Sequence, residues 1–141
     1  MSQIRQDDKG AFGIQGADLG QDGFLSVNIE YNANSVDKSS FVASRAYRVK
    51  AIVGRVTAAG SDVGAVTAAV KKAPSATAIA DGTALHSGTM DLKGAANTNQ
   101  TLTLSTTDSD LEIAAGDAIG ADFTGTLTAA TGVISVLLAP K

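Results

Sequence analysis

The carboxylates are the residues of this chain whose spacing admits chemistry. In LEIAAGDAIGADFTGT, residues 111 to 126, Asp117 follows a glycine and Asp122 follows five positions later. They read either as a catalytic acid pair or as the polar residues of a turn between strands. Gly116 can take the positive φ of a tight turn, and the Asp117 carboxylate can accept from neighbouring backbone N–H groups, so the turn is preferred. Asp122 then falls on the face opposite Phe123, where solvent or a partner meets it. Just upstream, DSDLE sets Asp108, Asp110 and Glu112 at alternate positions. On a strand these share a face and three carboxylates could hold a hard cation. A calcium loop that begins D-x-D also needs Gly at its sixth position and an acid at its twelfth. This chain has Ile113 and Ile119 there, and a solvated loop entering a strand is expected. The stretch GADLGQDG at 16–23 is similar to glycine- and aspartate-rich calcium repeats, but it occurs once, and such repeats work only when stacked.

His86 is the only histidine, which excludes a two-histidine metal site, and it reads as a surface residue near a strand start. Cysteine is absent, so disulfides, thiolate nucleophiles and cysteine-held metals are excluded. Neither phosphate-binding glycine motif occurs, nor does G-x-S-x-G. Enzyme activity has no visible carrier, and no cofactor is expected. The basic residues are more suggestive: Arg45, Arg48, Lys50 and Arg55 cluster, with Lys71 and Lys72 possible neighbours. They form either a solvated face or a cationic strip that steers an acidic partner.

At 141 residues and 14.1 kDa, the chain fits one domain with a real core. Apolar residues make up 44%, mostly Ala, Val, Leu and Ile, whereas aromatics are 4%, so a thin, finely packed core is expected. A net charge of −3 and a pI near 4.9 give no general reason to bind nucleic acid, which is recognised by neutralising phosphates. No apolar run reaches membrane-spanning length, and MSQIRQDDKG lacks the apolar region of a secretory signal. Synthesis in a cytoplasm, with no membrane partner, is the expectation.

Residues 1–23 are polar and Gly-rich, with isolated Phe12, Ile14 and Leu19. They are a disordered tail or an extended arm whose few apolar side chains dock on a partner; Phe12, one of only four Phe, favours the arm. From Phe24 the pattern turns to the alternation of strands with one buried face. Leu25, Val27, Ile29 and Tyr31 oppose Ser26, Asn28 and Glu30. One long stretch, FVASRAYRVKAIVGRVTA, sets Tyr47, Val49, Ala51 and Val53 against Arg48, Lys50 and Ile52, with a bend near Gly54. Val66, Ala68 and Val70 continue the pattern until Pro74 ends it; the same segment has near-helical valine spacing, but its β-branched residues and the proline favour strand. Leu102 and Leu104 alternate with Thr101, Thr103 and Ser105. Three further strands are expected around 111–114, 117–124 and 133–139, with Gly116, Gly125 and Gly132 as breaks. About eight short strands at this spacing predict an all-β antiparallel sandwich over residues 24–141. No fixed repeat points to a propeller or solenoid.

Three segments, VTAAVKKAPSATAIADGTAL, MDLKGAANTNQTLTL and LEIAAGDAIGADFTGTL, carry a resemblance over roughly residues 40–139. The chain resembles the small β-sandwich head proteins of tailed bacteriophages, the capsid decoration or head-stabilising proteins. The resemblance implies a jelly-roll-like sandwich, a homotrimer, a place on the outer surface of the virion head and the major capsid protein as partner. Phe12, Ile14 and Leu19 of the arm, with Arg45 and Arg48, are then the expected capsid-binding residues. Another use of the same fold is a head-fibre or fibre-tip module that binds a receptor or glycan, since fold does not fix function.

Overall fold

The computed structural model describes residues 23–141. Phe12, Ile14, Leu19, residues 16–22 and the arm up to residue 22 therefore lie outside the described residues. Within them the chain forms ten strands and no long helix. In order they are β1 (Leu25–Tyr31), β2 (Lys38–Val42), β3 (Tyr47–Ala58), β4 (Thr67–Ala73), β5 (Thr83–Ala84), β6 (Met90–Asp91), β7 (Thr98–Thr101), β8 (Glu112–Ile113), β9 (Ala118–Thr124) and β10 (Thr131–Pro140). They make two antiparallel sheets, the expected sandwich. One sheet runs β1-β10-β3-β7, with β8 also on β3; the other runs β2-β9-β4-β5, with β6 also on β4. The pairing is nested: β1 with β10, β2 with β9, β3 with β8 and β7, β4 with β6 and β5.

The inner faces supply the core, with Val27, Ile29 and Tyr31 from β1 meeting Ala68 and Val70 from β4, and Ile119 from β9. Each fully buried Val, Ile or Leu contributes about 1.5–3 kcal/mol relative to exposure. The sequence pattern for β1 is realised. So is that for β4, where Val66, Ala68 and Val70 are fully buried and the strand stops at Ala73 before Pro74.

Elsewhere the structure differs from the sequence pattern for identifiable reasons. The long stretch from Phe41 is two strands in different sheets, separated at residues 43–46. In β3 the alternation changes phase. Tyr47 and Val49 point inward, but so do Ile52 and Val56, because Leu138 pairs with Val49 and Leu137 with Ala51, leaving Lys50 as the extra residue of a β-bulge. Ala51 and Val53 consequently face outward, contrary to expectation. Gly54 also points inward, where a Cβ would lie 2.2 Å from Sδ of Met90; its lack of a side chain makes room for a methionine from the other sheet.

Gly132 is not a break either. It lies inside β10 opposite Tyr31, and the Tyr31 ring occupies the space its side chain would need, with the hydroxyl 2.4 Å from the ideal Cβ position. The alternating Leu102 and Leu104 follow β7 rather than lying in it: Leu102 N–H donates to the Ile52 carbonyl, and Leu104 makes a single bridge with His86. The count of ten strands against about eight expected has two sources: the long stretch from Phe41 is divided between β2 and β3, and residues 83–91 hold two short strands, β5 and β6, separated by His86.

Candidate functional site

Three parts of the chain converge at one end of the sandwich. β3 starts there at Tyr47, paired with Pro140 at the end of β10, and β8 pairs beside it through Ile113 and Glu112. Gly23 lies against the same Pro140: a Cβ on Gly23 would come 2.8 Å from the proline Cγ. Its positive φ, +81°, turns the chain into β1 at this end. The root of the N-terminal segment, the end of β10 and the two arginines expected to bind a partner thus share one surface.

The charges there are balanced rather than uniformly basic. Arg48 donates to Asp108 Oδ1 and lies 3.6 Å from Glu112 Oε2, while Lys141 pairs with the other oxygen of Glu112. Arg45 donates to the main-chain oxygen of Lys141 at 3.3 Å. The hydrogen bond from Arg48, its charge, and to a smaller extent that of Lys141, hold the Asp108 carboxyl below the usual carboxylate range. In return Asp108 and Glu112 favour the charged guanidinium. These pairs are solvent-exposed and orient side chains more than they stabilise the fold.

The remaining basic residues disperse. Lys72 belongs to the inward-facing parity of β4 and closes this end of the sandwich, donating to the carbonyls of Ser109 at 2.7 Å and Glu112 at 2.6 Å. Lys71 faces the other way and pairs with Asp122 at 2.7 Å, with side-chain exposures of 17% and 22%. Arg55 donates to the Asn97 carbonyl near the opposite end of β3. No single cationic strip runs through the six residues; Arg45 and Arg48 stay with the arm root, and Lys72 reaches the same end through the Glu112 carbonyl.

The acidic candidates separate as well. Residues Asp108–Leu111 form a 3-10 turn rather than a strand, so the three carboxylates do not share a face. Asp108 turns to Arg48, Asp110 accepts from Ser105 Oγ at 2.6 Å, and Glu112 turns to Lys141. Among the described residues no three metal-ligating side chains come together. Asp117 is the turn residue its neighbours indicate: its carboxylate accepts from Ala114 N–H at 2.9 Å, and Gly116 beside it has φ +92°.

His86 corrects the expectation of a surface residue. It is 4% exposed, its Nε2 accepts from Val70 N–H at 2.9 Å, and its Nδ1–H donates to the Ser87 carbonyl at 3.1 Å. It satisfies the β4 amide in the gap between β5 and β6, where no strand backbone is available. Sequence reasoning missed this role, and it missed Asp108 and Glu112 as partners of Arg48 and Lys141 as a second partner of Glu112. A clue lay in the acids of DSDLE, opposite in charge to the upstream bases. Nothing local in the sequence brings the two segments together.

At the opposite end lies an open cleft of about 500 Å³ beside the β1–β2 connection. Glu30, Asn32, Ser35, Lys38, Thr57 and Thr131 line it, and Thr57 and Thr131 share a 2.7 Å hydroxyl contact. Tyr31 reaches it, but its ring is buried against Phe123, with centroids 5.9 Å apart.

A scan against protein-family models, a search of curated proteins and a search of solved structures each find no match to this chain.

Proposed function

We propose that the protein is a structural virion protein that binds the outer surface of a bacteriophage head as a trimer and cements or decorates the major capsid lattice. The observation that carries the reading is the convergence of the arm root at Gly23 with Arg45 and Arg48 at one end of the sandwich. A partner seated there meets the arm and the charged cluster together. The jelly-roll part of the reading is supported by the nested pairing, in which the first strand joins the last and each next pair lies inside the one before. That is the order a long antiparallel hairpin acquires when it rolls into two sheets. A trimer presents three equal patches to a shell, so modest contacts sum through avidity once all three engage.

The test is binding to purified undecorated heads. Deleting residues 2–20 should leave a folded protein that no longer binds, since the sandwich keeps its core and loses the arm. Normal decoration by the truncated protein would overturn the arm reading.

The polar cleft at the far end favours one other use, a receptor- or glycan-binding module of a head fibre or fibre tip. Its hydroxyl, amide and charged lining suits a polar ligand. Against it, the one aromatic reaching the cleft is buried by Phe123 and offers no stacking face. Glycan-array hits without head binding would favour this second use; head binding without array hits favours cement.

A further inference from the structure

We infer that the free edge of β1 is the seat of residues 11–15 from a second copy of this chain, added as a strand. Two sheets have four edges, and three of them are blunted. On one side, β7 has four residues and β8 two, while β5 and β6 have two each, with His86 filling the gap between them. On the other side, β2 begins with Lys38 and carries a register shift between Ser39 and Phe41. Short strands, lysines and bulges are the devices that stop an edge from pairing. β1 has none of them. It runs seven residues, LSVNIEY, in unbroken register on β10, and among the described residues no strand lies on its other side.

A second observation points to the same side. Among the described residues, the exposed large apolar side chains are Phe24 at 44%, Val36 at 67%, Val42 at 63% and Val63 at 100%. Phe24 precedes β1 and Val36 lies in the β1–β2 connection, so two of these four border the open edge; Val42 is on β2, the edge strand of the facing sheet. Leu25 and Phe41, at the β1 and β2 margins of the core, are only partly buried. The side is built for apolar cover.

The occupant follows from where the undescribed chain begins. Residues 1–22 leave from Gly23, at the head of β1, and can extend ~75 Å, about three times the ~23 Å length of a seven-residue strand. Folding back from Gly23 onto its own β1 would lay GADLGQD, residues 16–22, against the edge, and Gly and Asp are poor strand formers. Reaching another copy presents AFGIQ, residues 11–15, without the wide loop that residues 16–22 would have to close to bring it back to its own β1, and sets Phe12 and Ile14 on one face over Leu25 and Phe41. Backbone pairing then supplies affinity and the two apolar side chains supply selectivity. Such a contact is heterologous and closes into a ring when the rotation between copies allows.

The chain has no cysteine, so introduced ones report cleanly. Gly13→Cys or Gln15→Cys in one tagged protein is mixed under mild oxidation with Ser26→Cys or Asn28→Cys in another of different tag length. Disulfides between the two proteins should predominate over same-residue disulfides. The variant carrying Gln15→Cys and Ser26→Cys in one chain should give a ladder of covalent multimers that ends at the native oligomer. Disulfides of Ser26→Cys with itself, a fast-migrating cross-linked monomer, or no cross-link above that of a Val63→Cys control would each overturn the inference. No phage head is needed, so failure here leaves the virion reading to the head-binding assay.

Discussion

The hydroxyl of Tyr31 lies over Gly132, its cross-strand neighbour, and finds no hydrogen-bond partner among the described residues although the side chain is 3% exposed. The ring covers a glycine that could not itself carry a side chain, at the cost of one buried, unpaired O–H.

Tyr31→Phe should therefore raise stability at neutral pH by about 1 kcal/mol, since an unsatisfied buried hydroxyl is penalised and the ring packing is kept. Urea midpoints at pH 7 check this. The same residue sets an alkaline limit. Burial pushes the phenol up to about 12 from its ordinary 10, so its protonated form is favoured in the folded state. The stabilisation is complete below pH 10 and is lost as pH rises toward 12, because the unfolded chain ionises first. The gap between Phe variant and parent should widen over that window, and a gap that stays constant would contradict the burial of the phenol.

Replacing His86 by Ala leaves the Val70 N–H without an acceptor in a fully buried position. The expected loss is about 1–3 kcal/mol from the orphaned donor, with a further cost for the space vacated. Amide exchange at Val70 should accelerate more than at Ala68, which has strand neighbours on both sides through Phe123 and Met90. Unchanged exchange at Val70 would mean that the imidazole is not its partner.

The Arg48–Asp108 pair predicts a titration rather than a stability effect. Asp108 has a depressed folded-state pKa, so its contribution is present above the unfolded carboxylate value, about 3.9, and fades as pH falls through the lower folded value. In Arg48→Met the Asp108 carboxyl should return toward the ordinary range in an NMR titration, while the melting temperature at pH 7 barely moves because the pair is exposed. A titration unaffected by that substitution would remove Arg48 as the cause.

On the outer face of the second sheet, the 3-10 turn Ile79–Asp81 packs its one buried side chain, Ile79, over Gly120 of β9, while the Lys71 ammonium holds the Ala80 carbonyl. Ile79→Ala should cost about 2–4 kcal/mol as a large-to-small change at a buried site. Gly120→Ala should act differently, because its Cβ would meet the Lys38 carbonyl at 2.1 Å and so strain the β2–β9 pairing. Hydrogen exchange that rises in β2 for Gly120→Ala but not for Ile79→Ala separates the two mechanisms.

These sites also show what was legible beforehand. Alternation identified β1 and β4 residue by residue, because both have one uninterrupted inner face. It failed in β3, where a bulge at Lys50 reverses the phase and no local signal marks it. Glycines were read as breaks, correctly at Gly116 but not at Gly132, whose reason is a tyrosine about a hundred residues away in the chain. The Asp117 turn was legible since its partners lie within three residues. The Arg48 cluster was not, for its acids arrive sixty residues later through the pairing of β3 with β8. Contacts set by nearby chain chemistry can be read directly; those set by topology require the fold.

Nested pairing has a temporal consequence. β10 lies between β1 and β3, and Leu25 meets Leu138 in that register. The first sheet therefore has no middle until residues 131–140 have been synthesised, and β1 has nothing to pair with before then. Contacts so distant along the chain slow folding. A ribosome that stalls early releases a chain without its central strand, unable to form the sheet at whose edge another copy would dock. Completion of residues 131–140 is thus a precondition for the first sheet as a whole.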